Sequence, residues 1–199
     1  MKTKKIQLRA TGTLLVMSTL VWFVFTTTAQ HPPIADRIEP TVAMYLKISG
    51  VNGEVTEPAY EGWITVDSFN YGLSRSARRS DGSRPDPANH RGLTIGKGAD
   101  KATPFLYLHA STGEPVEEVV LAVVRTTADS HSVQEYRLSN ALVTSVQTGG
   151  TRNANARGAE KVTFSYQAIE WAYVRSDPLT GRLASEVAVQ WDRSESELE

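Results

Sequence analysis

Cysteine is absent from all 199 residues. That excludes disulfides, thiol nucleophiles, cysteine-based metal sites and a lipoprotein signal. Histidine is scarce: His31, His90, His109 and His131 fall in a linker, a loop, a helix and a turn, without the spacing of a metal pair. His109, on a helix face, reads as a core or interface histidine. No apolar run is long enough to span a bilayer. The longest, Leu14 to Phe25, has 12 residues with Ser18 and Thr19 as its only polar members, against about 20 for a spanning helix. There is no Gly-x-Ser-x-Gly nucleophile elbow. Gly92-Leu93-Thr94-Ile95-Gly96-Lys97-Gly98 is no phosphate loop, because three residues separate its first glycines and Gly98 follows the lysine. No internal repeat is visible. With 40% hydrophobic, 8% aromatic and 22% charged residues, the chain is neither collagen-like, wholly disordered nor polytopic.

Acidic residues are also missing before Asp36, whereas Lys2, Lys4, Lys5 and Arg9 make a basic start. With the apolar run and the small residues Thr27-Thr28-Ala29, residues 1–29 have the tripartite layout of a secretory signal, cleaved or kept as an anchor. A periplasmic or secreted protein is expected, touching membrane only through this segment if it is uncleaved. Met44 offers an alternative start, which would place assembly in the cytoplasm before secretion. Setting aside the four leading cations leaves 17 of 21 basic residues against 22 acidic ones, a net of −5. No nucleic-acid partner is expected from such a chain.

Residues 30–43 hold three prolines and read as a linker. A strand is expected at Tyr45-Leu46-Lys47-Ile48 and another over Trp63 to Tyr71. In the second, Ile64 and Val66 differ in parity from Phe69 and Tyr71, which implies a bulge near Asp67-Ser68. Ser74 to Lys101 reads as one long polar loop, with a possible short strand at Gly92–Gly96. It carries seven basic residues (Arg75, Arg78, Arg79, Arg84, Arg91, Lys97, Lys101) and three acidic ones. Loops of that length are functional or disordered. Thr103 as N-cap and Pro104 at the first turn open the one expected helix, which Gly113 ends. Phe105, Leu108, His109 and Thr112 share one of its faces, and Phe105 and Leu108 are expected to pack on the rest of the fold.

Val116 to Thr126 is apolar on both faces and reads as a central, covered strand. Tyr136 to Thr148 and Glu160 to Trp171 read as two long strands joined at a polar, glycine-containing loop. The second changes parity between Tyr166 and Ile169, implying a bulge near Gln167-Ala168. Val187, Val189 and Trp191 alternate before the acidic tail, residues 193–199. The expected fold is mostly β: an antiparallel two-sheet β-barrel over residues 44–192 with one short α-helix, since closure removes vulnerable edges. Trp63, Phe69, Tyr71, Trp171 and Trp191 read as barrel core or packing between subunits, with a carbohydrate platform as the alternative.

Several segments occur in the order found in one family. They are Met44-Tyr45-Leu46-Lys47-Ile48, Ile64-Thr65-Val66-Asp67-Ser68-Phe69-Asn70-Tyr71-Gly72, Asp100-Lys101-Ala102-Thr103-Pro104, Ser111-Thr112-Gly113 and Glu135-Tyr136. Val143 to Gly150, Glu160-Lys161-Val162-Thr163-Phe164 and Val189-Gln190-Trp191-Asp192 complete the set. The chain resembles the haemolysin-coregulated proteins (Hcp), the inner tube of the bacterial type VI secretion machine. The resemblance implies hexameric rings stacking into a hollow tube driven by a contractile sheath and tipped by a spike, with small effector proteins in the lumen. It implies no enzyme activity, no catalytic residue and no cofactor. Asn70 would face the lumen, and Arg75, Arg78, Arg79, Arg84 and Arg91 would contact neighbouring subunits. The chain departs from the pattern in its N-terminal signal and in the arginine- and proline-bearing loop. An exported binding module of the same fold, acting outside a sheath, is the alternative function; an exported hydrolase is a third.

Overall fold

The computed structural model describes residues 39–75, 88–150 and 158–196. In chain order they form β1 (Thr41–Ile48), β2 (Ile64–Thr65), β3 (Ser68–Asn70), β4 (Leu73–Ser74), β5 (Asn89–His90) and β6 (Leu93–Gly98). There follow α1 (Thr103–Thr112), β7 (Val116–Thr126), β8 (His131–Gly149), β9 (Ala159–Ser165), β10 (Ala168–Ser176), β11 (Leu183–Asp192) and α2 (Arg193–Ser196).

β8, 19 residues long, belongs to both sheets. Its first half lies between β7 and β10 and its second half pairs with β9, every ladder antiparallel. The first sheet runs β2-β1-β7-β8-β10-β11 and the second β8-β9-β6-β3. The sheets meet again along residues 64–70. There the Val66 N–H donates to the Met44 carbonyl at 3.0 Å and the Asp67 N–H to the Gly96 carbonyl at 2.8 Å. One short segment thus pairs with β1 through its first half and with β6 through its second, which makes the two sheets a barrel.

The corner in β8 has a local cause. Asn140 has φ 49°, the one positive value outside glycine among the described residues, and short amides tolerate that region best. Its side-chain amide donates to the Gln167 carbonyl oxygen at 2.9 Å, tying the corner to the break between β9 and β10. Inward parity changes on both strands here: Tyr136 and Leu138 give way to Ala141 and Val143, and Phe164 and Tyr166 to Ile169. The register shifts again between Val143 and Ser145. The irregularities that parity implied at Asp67-Ser68 and Gln167-Ala168 fall between β2 and β3 and between β9 and β10.

Leu46, Ile64, Leu93, Ile95, Leu121, Leu138, Phe164 and Ile169 fill the barrel and are wholly buried or nearly so. Each stabilises the fold by about 1.5–3 kcal/mol relative to exposure. β7 is covered on both faces, with Val119, Val120, Leu121 and Ala122 all buried.

Five expectations change. β1 begins at Thr41, inside the stretch assigned to the linker. The short strand expected within 92–96 is there, as β6, but it is longer and is a central strand of the second sheet, so the polar stretch 74–101 is not one loop. α1 is not capped by Thr103: Ala102 stands at the N-cap position and no side chain caps the helix. Thr103 is already helical, its hydroxyl accepting from the Asp100 N–H at 3.1 Å, while Asp100 Oδ1 accepts from the Ala102 N–H at 3.0 Å and closes the turn that leads into the helix. Pro104 does stand in the first turn, and Gly113 ends the helix at φ 68°. The buried face of α1 holds Ala102 and Leu106, whereas Phe105 is 49% and Leu108 58% exposed. Finally, the tail opens with a turn of helix, α2, whose start Asp192 caps by accepting from the Ser194 N–H at 2.8 Å.

Candidate functional site

A buried charge node anchors α1 to the barrel. Lys97 shares the inward face of β6 with Leu93 and Ile95, and its side chain is as buried as theirs. Its ammonium lies 2.8 Å from Glu160 Oε2 on β9 and 2.7 Å from Asp100 Oδ1 before α1. It also donates to the Gly98 carbonyl at 2.9 Å and to the Thr103 hydroxyl at 3.2 Å. The Thr103 hydroxyl donates to Glu160 Oε2 at 2.8 Å, and Thr148 reaches Glu160 Oε1 at 3.4 Å. Tyr107 on α1 bonds Thr148 in turn. Burying such charges costs several kcal/mol per ion unless they are paired and fully bonded, as here. The node is positional: it holds the helix against the ends of β6, β8 and β9. Composition treated Lys97 as a loop cation; its alternation with Leu93 and Ile95 was the available sign that it points inward.

The helix held this way turns Phe105, Tyr107 and Leu108 outward. A second apolar surface lies on the β10–β11 ribbon. β11 is exposed along most of its length, Val187 and Val189 at 57% each, with Leu183 and Tyr173 alongside. On one side β11 pairs with β10; its other side has no strand partner among the described residues. Exposed edge strands bearing apolar side chains are rare in monomers, because they template pairing with another chain.

The outward face of the first sheet is acidic. Arg137 lies 2.6 Å from Glu135, 3.5 Å from Glu170 and 3.8 Å from Glu118, three carboxylates on one guanidinium. The Glu135 hydrogen bond raises the Arg137 pKa further. The loop after β1 folds back over this face, stacking Tyr60 on Tyr45 with ring centres 4.4 Å apart and Trp63 edge-on to Tyr60. Burial, then the 2.7 Å bond to Glu57, pushes the Tyr45 hydroxyl up to about 12.

Where the chain leaves β5, His90 stacks on Trp191 at 3.6 Å, 11° from parallel, beside Tyr166 and Trp171. Burial, then the positive Arg193, lowers the His90 pKa. This aromatic group, with Phe69 and Tyr71, closes one side of the core, so Phe69, Tyr71, Trp171 and Trp191 are packing residues. His109 is half-buried, its Nδ1 without a partner among the described residues.

Asn70 is exposed on β3, opposite Thr94. Arg75 and Arg91 are exposed at the two ends of the arginine-bearing loop, where the Arg91 N–H donates to the Gly72 carbonyl at 3.0 Å. Arg78, Arg79 and Arg84 lie outside the described residues. The apolar ribbon was not singled out from sequence, because Val187 and Val189 alternate like a strand facing a core; the helix face of Phe105 and Leu108 was singled out, but it points outward rather than onto the barrel.

Residues 45–173 match the family described as type VI secretion system effector, Hcp. No curated protein sequence matches the chain. Among solved structures it is similar to one titled as a type six secretion system protein, at 21% identity and a TM-score of 0.67 over 78% of this chain and 98% of the other. Hcp1 from Salmonella typhimurium gives 18% and 0.61 over 77% and 96%. A type VI secretion system effector from Yersinia pestis gives 18% and 0.57 over 75% and 98%. At such identities the structures speak for the fold, and the family match, covering well over half the chain, speaks for descent: the chain belongs to the Hcp family of type VI secretion proteins.

Proposed function

We propose that the chain works by assembly, as the ring-forming subunit of a type VI secretion tube, with the ribbon of one copy laid on a different surface of the next. The exposed ribbon carries this reading. β11 shows apolar side chains and an edge with no strand partner among the described residues, a combination that a monomer avoids. The outer face of α1 is a second, chemically matched surface elsewhere on the same molecule. A contact between two different patches is head-to-tail, and such contacts close into rings or run on as filaments. Sheath, spike and effector proteins are the further partners on this reading, and Asn70 faces the channel. Its work is packing and transport, with no reaction assigned. Light scattering and negative-stain imaging of the purified full chain test it. Rings are expected. A monodisperse monomer across a wide concentration range overturns the reading and leaves the exported binding module.

A further inference from the structure

The two sheets turn outward faces of opposite chemistry. On the second sheet, register sets Ser68, Gly96, Lys161 and Gln147 side by side in one row. The next row holds Asn70, Thr94, Thr163 and Ser145. The Thr94 and Thr163 hydroxyls are 3.1 Å apart, so the row projects to one side. Hydroxyls, amides and one glycine make up these rows; the single charge is Lys161, and no carboxylate joins it. Lys161 is exposed and forms no ion pair among the described residues. The first sheet, by contrast, crowds three carboxylates around Arg137. On a chain with more acidic than basic residues, a carboxylate-free outward face is the exception.

Nor is that face flat. Ser68, Asn70, Thr94 and Lys161 line a depression of about 230 Å³, with Phe69 and Ile95 also at its wall and Gly96 as its floor. A Cβ on residue 96 would come within 2.4 Å of the Ser68 hydroxyl, which would have to turn away. Any side chain would displace Ser68 and fill the space.

We propose that this depression receives a carboxylate from an acidic protein segment, and that the face as a whole docks a partner with an acidic surface. Lys161 supplies the charge. Ser68 and the Asn70 amide supply hydrogen-bond donors. The Thr94–Thr163 pair supplies a third, since whichever hydroxyl accepts in their mutual bond keeps its own O–H to donate. The occupant is argued from charge complementarity: Lys161 is the one charge in the two rows, and a cation set among hydrogen-bond donors favours Asp and Glu. Its role in transport rests on the ring reading above, with this face turned to the channel. Each copy then adds one Lys161 to the wall, and passengers are selected for acidic surface.

The test uses the full chain and a fluorescent poly-glutamate peptide, followed by anisotropy at low and at physiological salt, with poly-lysine and single-stranded DNA as comparison probes. Poly-glutamate is expected to bind, more weakly at higher salt. Lys161→Glu is expected to weaken binding about tenfold or more, and Lys161→Gln by a smaller factor. Circular dichroism checks that both exposed substitutions leave the fold intact, and light scattering reads assembly separately. Lys161-dependent binding by a chain that forms no rings supports the docking face and removes its channel role. Equal poly-glutamate affinity for the parent chain and Lys161→Glu overturns the proposal. So does tighter binding of DNA or poly-lysine than of poly-glutamate.

Discussion

Two charged side chains of similar composition do unequal work here, and burial decides which matters. Glu160 and Lys97 are sealed at the base of α1, so removing one leaves the other partner or its hydroxyl donors uncompensated in a low-dielectric site. Glu160→Ala is expected to cost about 3–5 kcal/mol in urea unfolding. Arg137→Ala, which breaks three ion pairs on a half-exposed face, is expected to cost no more than about 1 kcal/mol in all, because exposed pairs are weak and screened. Comparable losses for the two variants would contradict this account of the node. His90 makes a different prediction. Its folded pKa is lowered from 6.5, by burial first and then by Arg193, so the fold prefers the neutral ring. That contribution is complete above the unfolded value and is lost as pH falls through the lowered folded one. His90→Phe keeps an aromatic ring on Trp191 but does not titrate. Its stability should therefore fall less than the parent's between neutral pH and pH 5, as read by thermal melts in matched buffers. Parallel curves would show that His90 ionisation is not sensed by the fold.

At the scale of elements, α1 shows what periodicity can and cannot decide. Pro104, Phe105, Leu106, Tyr107 and Leu108 put apolar groups all round the first turns, so the stripe read from periodicity, Phe105 and Leu108, is the exposed face and Leu106 the buried one. The structure chooses through the Lys97 node, which fixes the helix's rotation and sends Leu106 inward. Leu106→Ala is accordingly expected to cost about 2–5 kcal/mol. Leu108→Ala should stay within about 0.5 kcal/mol in the monomer; the reverse order in chemical denaturation would invert the assigned face. β7, β8 and β9 were legible because long alternating or doubly apolar runs leave little choice of structure, and the parity changes near Asp67 and Gln167 located the corners. β6 was half legible, as a short strand near Gly92–Gly96 but not as a central one. Its glycines and lysine resemble loop chemistry, although Lys97 is held by two carboxylates supplied from 3 and 63 residues away. The polar node and the outward rows of the second sheet both depend on register between distant strands, which no local pattern contains.

Across the whole molecule, what stands out is apolar surface left uncovered in two separate places. A barrel with a closed core has no internal need for Val187, Val189, Phe105 and Leu108, yet each is about half or more exposed. If the ribbon of one copy packs on the helix face of the next, the two patches are complementary rather than self-complementary, and blocking either one stops growth in one direction only. Val187→Lys with Val189→Lys should leave the circular dichroism spectrum unchanged and abolish rings. Phe105→Lys with Leu108→Lys should do the same. Each variant retains one intact surface, so an equimolar mixture should form a heterodimer and nothing larger, detectable by light scattering as a doubling of mass. A mixture that stays monomeric while each single variant has lost its rings would show that the ribbon and the helix face do not meet. The ribbon's true partner would then lie elsewhere on the barrel, with the acidic outward face of the first sheet the next surface to block.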